Sequence, residues 1–289
     1  MTPNDFEFIA GILKERSGLS IGLDKTYLLE SRLTPIARRH KLEDLDELIN
    51  LVRRNKSETL LSEITEAMTT NESFFFRDAT PFEIFEKAIL PTMLESRASK
   101  KSLRIWSAAC STGQEAYSLA MILREMSTKL AGWRIEIVGT DISTEVLEKA
   151  KVGIYSQFEV QRGLPINLLM KYFNQVNELW QIDASIRAMV SFKEFNLLKD
   201  LRPLGTFDII FCRNVLIYFD QPTKTKVLDE MTKIMAKDGC LFMGAAETVL
   251  GISDTLSPVP GQRGVYSVGE NSTARPAAGL TTRVAAAAG

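Results

Sequence analysis

Histidine is almost absent: the 289 residues hold one, His40, beside Arg38, Arg39 and Lys41. A Ser-His-Asp triad, a multi-histidine metal centre or a histidine relay would have to be built on that one solvated side chain, which disfavours all three. Cysteine is nearly as scarce. Cys110, Cys212 and Cys240 form an odd, widely spaced set with no CxxC pair, so neither a disulfide framework nor a zinc site is suggested. No uninterrupted apolar run approaches the roughly 20 residues of a membrane span, and MTPNDFEF at the N-terminus lacks a basic-then-apolar signal. A cytoplasmic protein without membrane insertion and without a metal is expected. Excess charge of either sign is missing too: the net charge is −1, which gives no general affinity for nucleic acid.

What is present is an ordinary core-forming composition, 45% hydrophobic, long enough for one large domain or two modest ones. The first 75 or so residues carry helical periodicity and no strand pattern. Phe6, Ile9, Ile12 and Leu13 fit one amphipathic helix, Leu45, Leu48, Ile49 and Val52 another, and Leu60, Leu61, Ile64 and Met68 a third. Between them Thr26 to His40 looks helical, although Pro35 should kink or end it. Basic residues Arg32, Arg38, Arg39, Lys41, Arg53, Arg54 and Lys56 crowd this bundle, interspersed with Glu43, Asp44, Asp46 and Glu47. They make either a solvated surface or a docking face for an acidic partner helix.

Next comes TTNESFFFRD, Thr69 to Asp78. Three successive phenylalanines cannot all point one way on a helix or strand, so at least one is expected to be poorly buried or to cover a ligand. Arg77 supplies a fixed cation, and Asn71 and Ser73 short hydrogen-bonding groups. A tight turn whose aromatics join bundle to sheet is the alternative. Thr80-Pro81-Phe82-Glu83 then reads as a capped helix start, with Thr80 as N-cap, running to Pro91 and a polar link at Ser96 to Ser102.

From Leu103 the pattern changes to α/β. The apolar run through Ile105, Trp106 and Ala108 gives way to Cys110-Ser111-Thr112-Gly113, and a helix opens on Gln114 and Glu115. Strand, glycine turn and helix N-terminus form the first unit of an open sheet, where ligands bind beyond the carboxyl ends of the strands. RIEIVG, Arg134 to Gly139, is the second strand. It ends on Asp141, a carboxylate suited to the two hydroxyls of a ribose, and Ser143 caps the helix that follows. The single glycine of the first turn makes a nicotinamide reading weak. Beyond Tyr155 a helix near Ile166 to Tyr172 and β-like runs at Leu179 to Ile182 and Ala188 to Phe192 suit a small antiparallel addition. FDIIFCRN, Phe207 to Asn214, resumes the parallel sheet. Asp220-Gln221-Pro222 caps a helix that Gly239 ends, and Cys240 to Gly244 and Gly264 to Val268 supply final strands. From residue 270 the Ala-, Thr-, Gly- and Pro-rich tail is expected to be disordered.

TTNESFFFRD, SAACSTGQEAYSLA, VGTDIS, FNLL and FDIIFCRNVLIYFD, in this order after a helical N-terminus, resemble the bacterial chemotaxis receptor methyltransferase family, the CheR family. The resemblance covers about residues 4 to 268. It implies a Rossmann-like class I S-adenosylmethionine-dependent methyltransferase sheet with a small antiparallel β insertion, preceded by an all-α bundle. The expected division is 1–78 helical domain, 79–102 linker helix, 103–269 catalytic domain with an insertion at about 155–195, and tail.

The activity implied is methylation of glutamate side chains on chemoreceptor cytoplasmic helices, yielding glutamyl methyl esters and S-adenosylhomocysteine, by a monomer recruited to membrane receptor arrays. By motif, the cofactor contacts are Asn71, Ser73, Arg77, Glu115, Asp141, Asn196, Leu197, Arg213 and Asn214. Arg77 and Tyr218 are the catalytic candidates, and Arg32, Arg38 and Arg39 the substrate-docking ones. In some members the insertion grips a receptor tether peptide; the short connection here from Phe173 to Leu179 leaves that role open. A methyltransferase with another protein or small-molecule acceptor, and an idle receptor-binding or cofactor-sensing module, are the alternatives.

Overall fold

The computed structural model describes residues 1–55 and 57–269, so Lys56 and the tail expected to be disordered lie outside the described residues. Contacts divide the chain into two compact units, Met1–Thr70 with Tyr218–Lys224, and Asn71–Ile217 with the chain from Thr225 onward.

The first unit is all helical. Helix α1 (Pro3–Ser17) starts in a capping box between Thr2 and Asp5 and ends at Gly18, whose φ of 78° only glycine adopts at little cost. Helices α2 (Thr26–Arg39), α3 (Leu45–Arg54) and α4 (Glu58–Met68) follow. Their apolar faces close one core of Ile9, Leu13, Leu29, Leu33, Ile49 and Ile64 among others, each side chain stabilising by roughly 1.5–3 kcal/mol. Pro35 does not end α2: Leu29 and Leu33 before it and Ile36 and Ala37 after it are all buried, and that packing outweighs the one hydrogen bond proline forgoes. In Tyr218–Lys224, Ser20 N donates to Tyr218 O (2.9 Å), and Asp220 pairs with Lys14 (2.6 Å) and caps Thr223 N.

The second unit opens with a helical stretch that differs from expectation. Ala79, not Thr80, precedes the first turn of α5 (Thr80–Ile84), with φ 45° and no side-chain cap, so the expected capping box is absent. The helix also passes Pro91. A π-turn over Phe85–Ile89 widens the backbone ahead of α6 (Leu90–Ser96), relieving the clash that the proline ring would make with the carbonyl four residues earlier.

Strand β1 (Ser102–Ala108), α7 (Gln114–Glu125), β2 (Arg134–Asp141) and α8 (Thr144–Val152) form the first βαβα unit. An insertion follows: β3 (Ile154–Ser156), α9 (Gln157–Gln161), α10 (Ile166–Tyr172), β4 (Phe173–Val176) and β5 (Leu179–Ile182), with β3, β5 and β4 in one antiparallel sheet. After α11 (Ala184–Arg187), β6 (Val190–Glu194) pairs in parallel with β2. The run at Ala188 to Phe192 therefore belongs to the main sheet. Its alternating half-buried pattern suits an open edge strand as well as a hairpin, and it returns beside β2 through a crossover whose helix α8 packs on both strands.

Strand β7 (Phe207–Cys212), α12 (Gln221–Ile234), β8 (Met235–Met243), β9 (Leu256–Pro258) and β10 (Val265–Val268) complete a seven-stranded sheet of order β6-β2-β1-β7-β8-β10-β9. Strand β8 begins five residues before the expected Cys240. Gly239 is not a helix stop but a strand position where a Cβ would lie 2.8–2.9 Å from Ala236 O and Asp208 O. Connections run to one side of β1 and then to the other, making β1/β7 the switch point where a crevice opens at the carboxyl ends.

At the opposite, amino end of the strands Arg97 closes the sheet, donating to Asp208 (2.8 Å) and to Asp238 (2.7 Å). The Arg97 hydrogen bonds hold the Asp238 carboxyl below its usual value. Its contribution to stability is thus fully present above pH about 4 and lost as pH falls through the depressed folded value. Asp238→Asn is expected to lower the unfolding midpoint at pH 7 and to differ less from wild type at pH 3; thermal melts at the two pH values check this.

Candidate functional site

The turn leaving β1 at the switch point is strained and tightly packed. Ala109 (φ 54°), Ser111 (φ 50°) and Gly113 (φ 92°) all have left-handed backbone, a cluster that persists only where the surroundings over-determine it. At Gly113 a Cβ would lie 3.0–3.1 Å from Ala150, Phe192 and Tyr117, so conformation and space both call for glycine. The turn delivers Ser111 N to Asp141 Oδ2 (2.8 Å), while Ser143 N reaches Asp141 Oδ1 (3.0 Å). Two backbone amides thus orient a 6% exposed carboxylate at the tip of β2. An ionised carboxylate has about four lone-pair sites, enough to accept further donors beyond these amides.

Glu115 is the second carboxylate, in the first turn of α7. Its Oε1 accepts from Ser107 Oγ (2.8 Å) and its Oε2 from Arg213 Nη1 (2.9 Å). Arg213, with a side chain 1% exposed, also donates through Nη2 to Arg77 O (2.7 Å) and Asp78 Oδ2 (2.8 Å) and stacks over Phe82. One guanidinium therefore fastens the 77–78 backbone to the first turn of α7. The same run is held elsewhere by Ser111 Oγ donating to Asn71 O (2.8 Å) and by Phe76 N donating to Ser118 Oγ (3.0 Å).

The three phenylalanines separate as sterics requires. Phe75 is fully buried against Tyr155 (4.9 Å) and Phe173 (5.5 Å) of the insertion, and Phe76 packs on Phe82. Phe74, half-buried, has guanidinium groups over its ring from Arg162 (4.2 Å) and Arg77 (5.5 Å). Both arginines also hold Glu72, Arg77 through its carbonyl (2.8 Å) and Arg162 through its carboxylate (2.7 Å), the latter contact lowering the Glu72 pKa. The insertion touches the turn as well: Tyr155 Oη donates to Thr112 O (2.8 Å). A Cβ on Gly163 would fall 2.1 Å from Phe75 O, so that glycine lets the insertion lie against the aromatic run.

On the β7 side, Cys212 leads into Arg213 and Asn214 (φ 59°). Phe195 N donates to Asp141 O (2.8 Å), bringing Asn196 and the buried Leu197 beside the tip of β2; Asn196 Oδ1 accepts from Leu198 N (2.9 Å). Cys110 and Cys212 are buried, and burial, reinforced by nearby carboxylates, pushes both thiols well up, so neither is a nucleophile at neutral pH.

Asn71, Ser73, Arg77, Glu115, Asp141, Asn196, Leu197, Arg213 and Asn214 all fall in the sheet unit, on segments at or tied to the carboxyl ends of β1, β2, β6 and β7. Ser73 is half-buried. Tyr218 instead groups with the helical unit. Of the docking candidates, Arg32 donates to Met68 O (2.9 Å) and Thr69 O (2.8 Å) and so satisfies the end of α4. Arg39 pairs with Glu63 (2.9 Å), as does His40, while Arg38 is exposed. Sequence reasoning missed Ser107, Ser111, Asp78, Tyr155, Arg162 and Glu247. Ser107, Ser111 and Asp78 had a signal, standing in motifs already singled out; the others meet the site only through tertiary contacts.

Among the described residues no helix is long and apolar enough to cross a membrane, and no group of three or more His, Cys, Asp or Glu could hold a metal ion. The donor set fits S-adenosylmethionine: an oriented carboxylate for ribose hydroxyls, a carboxylate in a helix's first turn for a cationic amine, and guanidinium and amide donors for a carboxylate.

Comparison with known proteins agrees. The family description "CheR methyltransferase, all-alpha domain" matches residues 4–69, and "CheR methyltransferase, SAM binding domain" matches residues 71–265. The chain is similar to Chemotaxis protein methyltransferase Cher2 of Pseudomonas putida, at 36% identity covering 90% of this chain and 96% of that one. It is 37% identical, with the same coverage, to Chemotaxis protein methyltransferase 1 of Pseudomonas aeruginosa. Chemotaxis protein methyltransferase of Borreliella burgdorferi is 33% identical over 87% of this chain and 90% of its own. With both of its units matched in order, the chain belongs to the CheR family of chemotaxis methyltransferases, and its sheet unit is an S-adenosylmethionine-binding domain.

Proposed function

We propose that the protein methylates glutamate side chains on the cytoplasmic helices of chemoreceptors. The observation that carries this reading is the pair of pre-oriented carboxylates at the switch point, buried Asp141 and half-buried Glu115, within a site that offers no histidine and no ionisable thiol. When bound, S-adenosylmethionine supplies a methyl group on a sulfonium, so an attacking carboxylate oxygen forms the ester bond as the carbon–sulfur bond breaks, leaving S-adenosylhomocysteine. A glutamate is already ionised near pH 7, so the protein moves no proton. It has only to align and dry the site.

In this reading Asp141 takes the ribose hydroxyls and Glu115 the methionine amine. Asn196 and Leu197 address the adenine, and Asn71, Ser73, Arg213 and Asn214 complete the cofactor contacts. Arg77 orients the cofactor or the incoming carboxylate, and Tyr218 positions the latter. Arg38 and Arg39 face the acidic receptor helix, with Arg32, which is also engaged on the end of α4, as the third docking residue. A protein acting on receptors works at the cytoplasmic face of their arrays.

Incubation of the purified protein with radiolabelled S-adenosylmethionine and receptor cytoplasmic fragments tests the proposal. Label on the receptor, released as methanol by mild base, is the expected result. Label on a different acceptor, or cofactor binding with no transfer, would replace it with another methyltransferase activity or an idle module. Tyr218→Phe is expected to leave cofactor affinity unchanged and lower kcat about tenfold, the worth of one hydrogen bond in the transition state. Unchanged kcat would remove that hydroxyl from the mechanism.

A further inference from the structure

One carboxylate in the sheet unit has partners that neither the cofactor contacts nor the core explains. Glu247 lies in the loop after β8 and accepts four backbone amides at once. Oε2 takes Asn214 N (2.7 Å) and Gly244 N (2.8 Å), and Oε1 takes Val215 N (3.1 Å) and Ile217 N (3.2 Å). Three of these amides come from the loop after β7, whose first residues are Arg213 and Asn214. That loop ends a buried central strand, and its successive N–H groups converge as an anion-binding nest would. Here the chain supplies its own anion.

Two further observations say what the carboxylate holds in place. Asn214 has φ 59°, a conformation that non-glycine residues rarely adopt, and its own amide is the shortest of the four contacts. Gly244 is the one residue type that leaves room: a Cβ there would lie 2.6 Å from Glu247 Oε2 and 2.9 Å from Asn214 Nδ2. Its missing side chain lets the β8 loop, the carboxylate and Asn214 meet.

We propose that Glu247 is the positioning residue of the cofactor site on the β7 side: its carboxylate fixes the 214–217 backbone and holds Asn214 in left-handed conformation, setting the Arg213-Asn214 pair for the cofactor. This rests on the cofactor roles proposed for Arg213 and Asn214. Glu247 touches neither reacting atoms nor cofactor; it acts through the loop.

Calorimetric titration with S-adenosylhomocysteine, beside thermal melts of each variant, tests it. Glu247→Gln replaces one acceptor oxygen with a donor facing backbone N–H groups, and at least a tenfold rise in Kd is expected. Gly244→Ala, which crowds the same carboxylate from the other side, is expected to raise Kd likewise. Asn214→Gly provides a readout that a merely structural role would not move. Glycine takes the left-handed backbone unaided, so the Glu247→Gln effect should shrink to below threefold in that background. A Kd equal to wild type in Glu247→Gln, or the same fold loss in both backgrounds, would overturn the proposal. If Glu247→Gln does not fold, Gly244→Ala with and without Asn214→Gly makes the same comparison. Failure of the wild type to bind S-adenosylhomocysteine would overturn the cofactor reading itself, an outcome separate from any difference among variants.

Discussion

Asp141→Ala is expected to weaken S-adenosylhomocysteine binding about 100-fold. Hydrogen bonds to a charged acceptor are worth about 1.5–3 kcal/mol each, and two ribose hydroxyls therefore account for about 3 kcal/mol, or two factors of ten. The substitution has a second effect. Asp141 also accepts from Ser111 N and Ser143 N, so alanine removes the acceptor that holds the Ser111 turn in its left-handed conformation. Asp141→Asn keeps one acceptor oxygen in place and should lose less. Titration calorimetry on the three proteins orders them wild type, Asn, Ala; equal affinity for wild type and the alanine variant would refute the ribose assignment.

The larger effect on stability is expected at Arg213. Removing one partner of a buried ion pair leaves an uncompensated charge and costs about 3–5 kcal/mol. Arg213→Met does this to Glu115, which is 12% exposed, and also releases Arg77 O and Asp78. At about 2–4 °C per kcal/mol for a unit of this size, the melting midpoint should fall by about 10 °C. Lysine would not serve, since it lacks the planar fork that reaches three acceptors in different directions. The double variant Arg213→Met/Glu115→Gln, with the orphaned charge gone, should recover part of the loss. A single variant that melts with the wild type, or a double variant no more stable than the single, would show that Arg213 does not carry this load.

These two residues mark where sequence reading succeeds and where it stops. Asp141 was legible because its position follows from local rules: an alternating apolar run makes a strand, its last residue faces the crevice of an open sheet, and a serine two residues on caps the next helix. The bundle helices, the first βαβ unit, α10 and β5 were legible for the same reason, each being specified by periodicity and capping within about a dozen residues. The order of five motifs then supplied the family, and with it the cofactor.

Arg213 was visible as a motif residue, but its work was not. Its partners lie 98 residues away at Glu115 and 135 away at Asp78, and no local pattern encodes which carboxylates a guanidinium will meet. The same holds for Glu247, whose nest is assembled from the loops after β7 and β8, and for Tyr155, which reaches Thr112 from the insertion. Local rules also misassigned several elements. The edge strand β6 has the alternation of a hairpin strand and joins the main sheet only through its crossover, and Pro35 and Pro91 are carried inside helices by burial on both sides in one case and by a π-turn in the other.

By itself the sequence determined most of the helices and strands, the switch-point architecture and the chemistry on offer, because these follow from short-range sterics and apolar spacing. Only the tertiary structure decided which charges meet, which backbone segments are held in strained conformations and which insertion wall closes on the aromatic run, because those depend on contacts between segments that the chain brings together after its local structure is set.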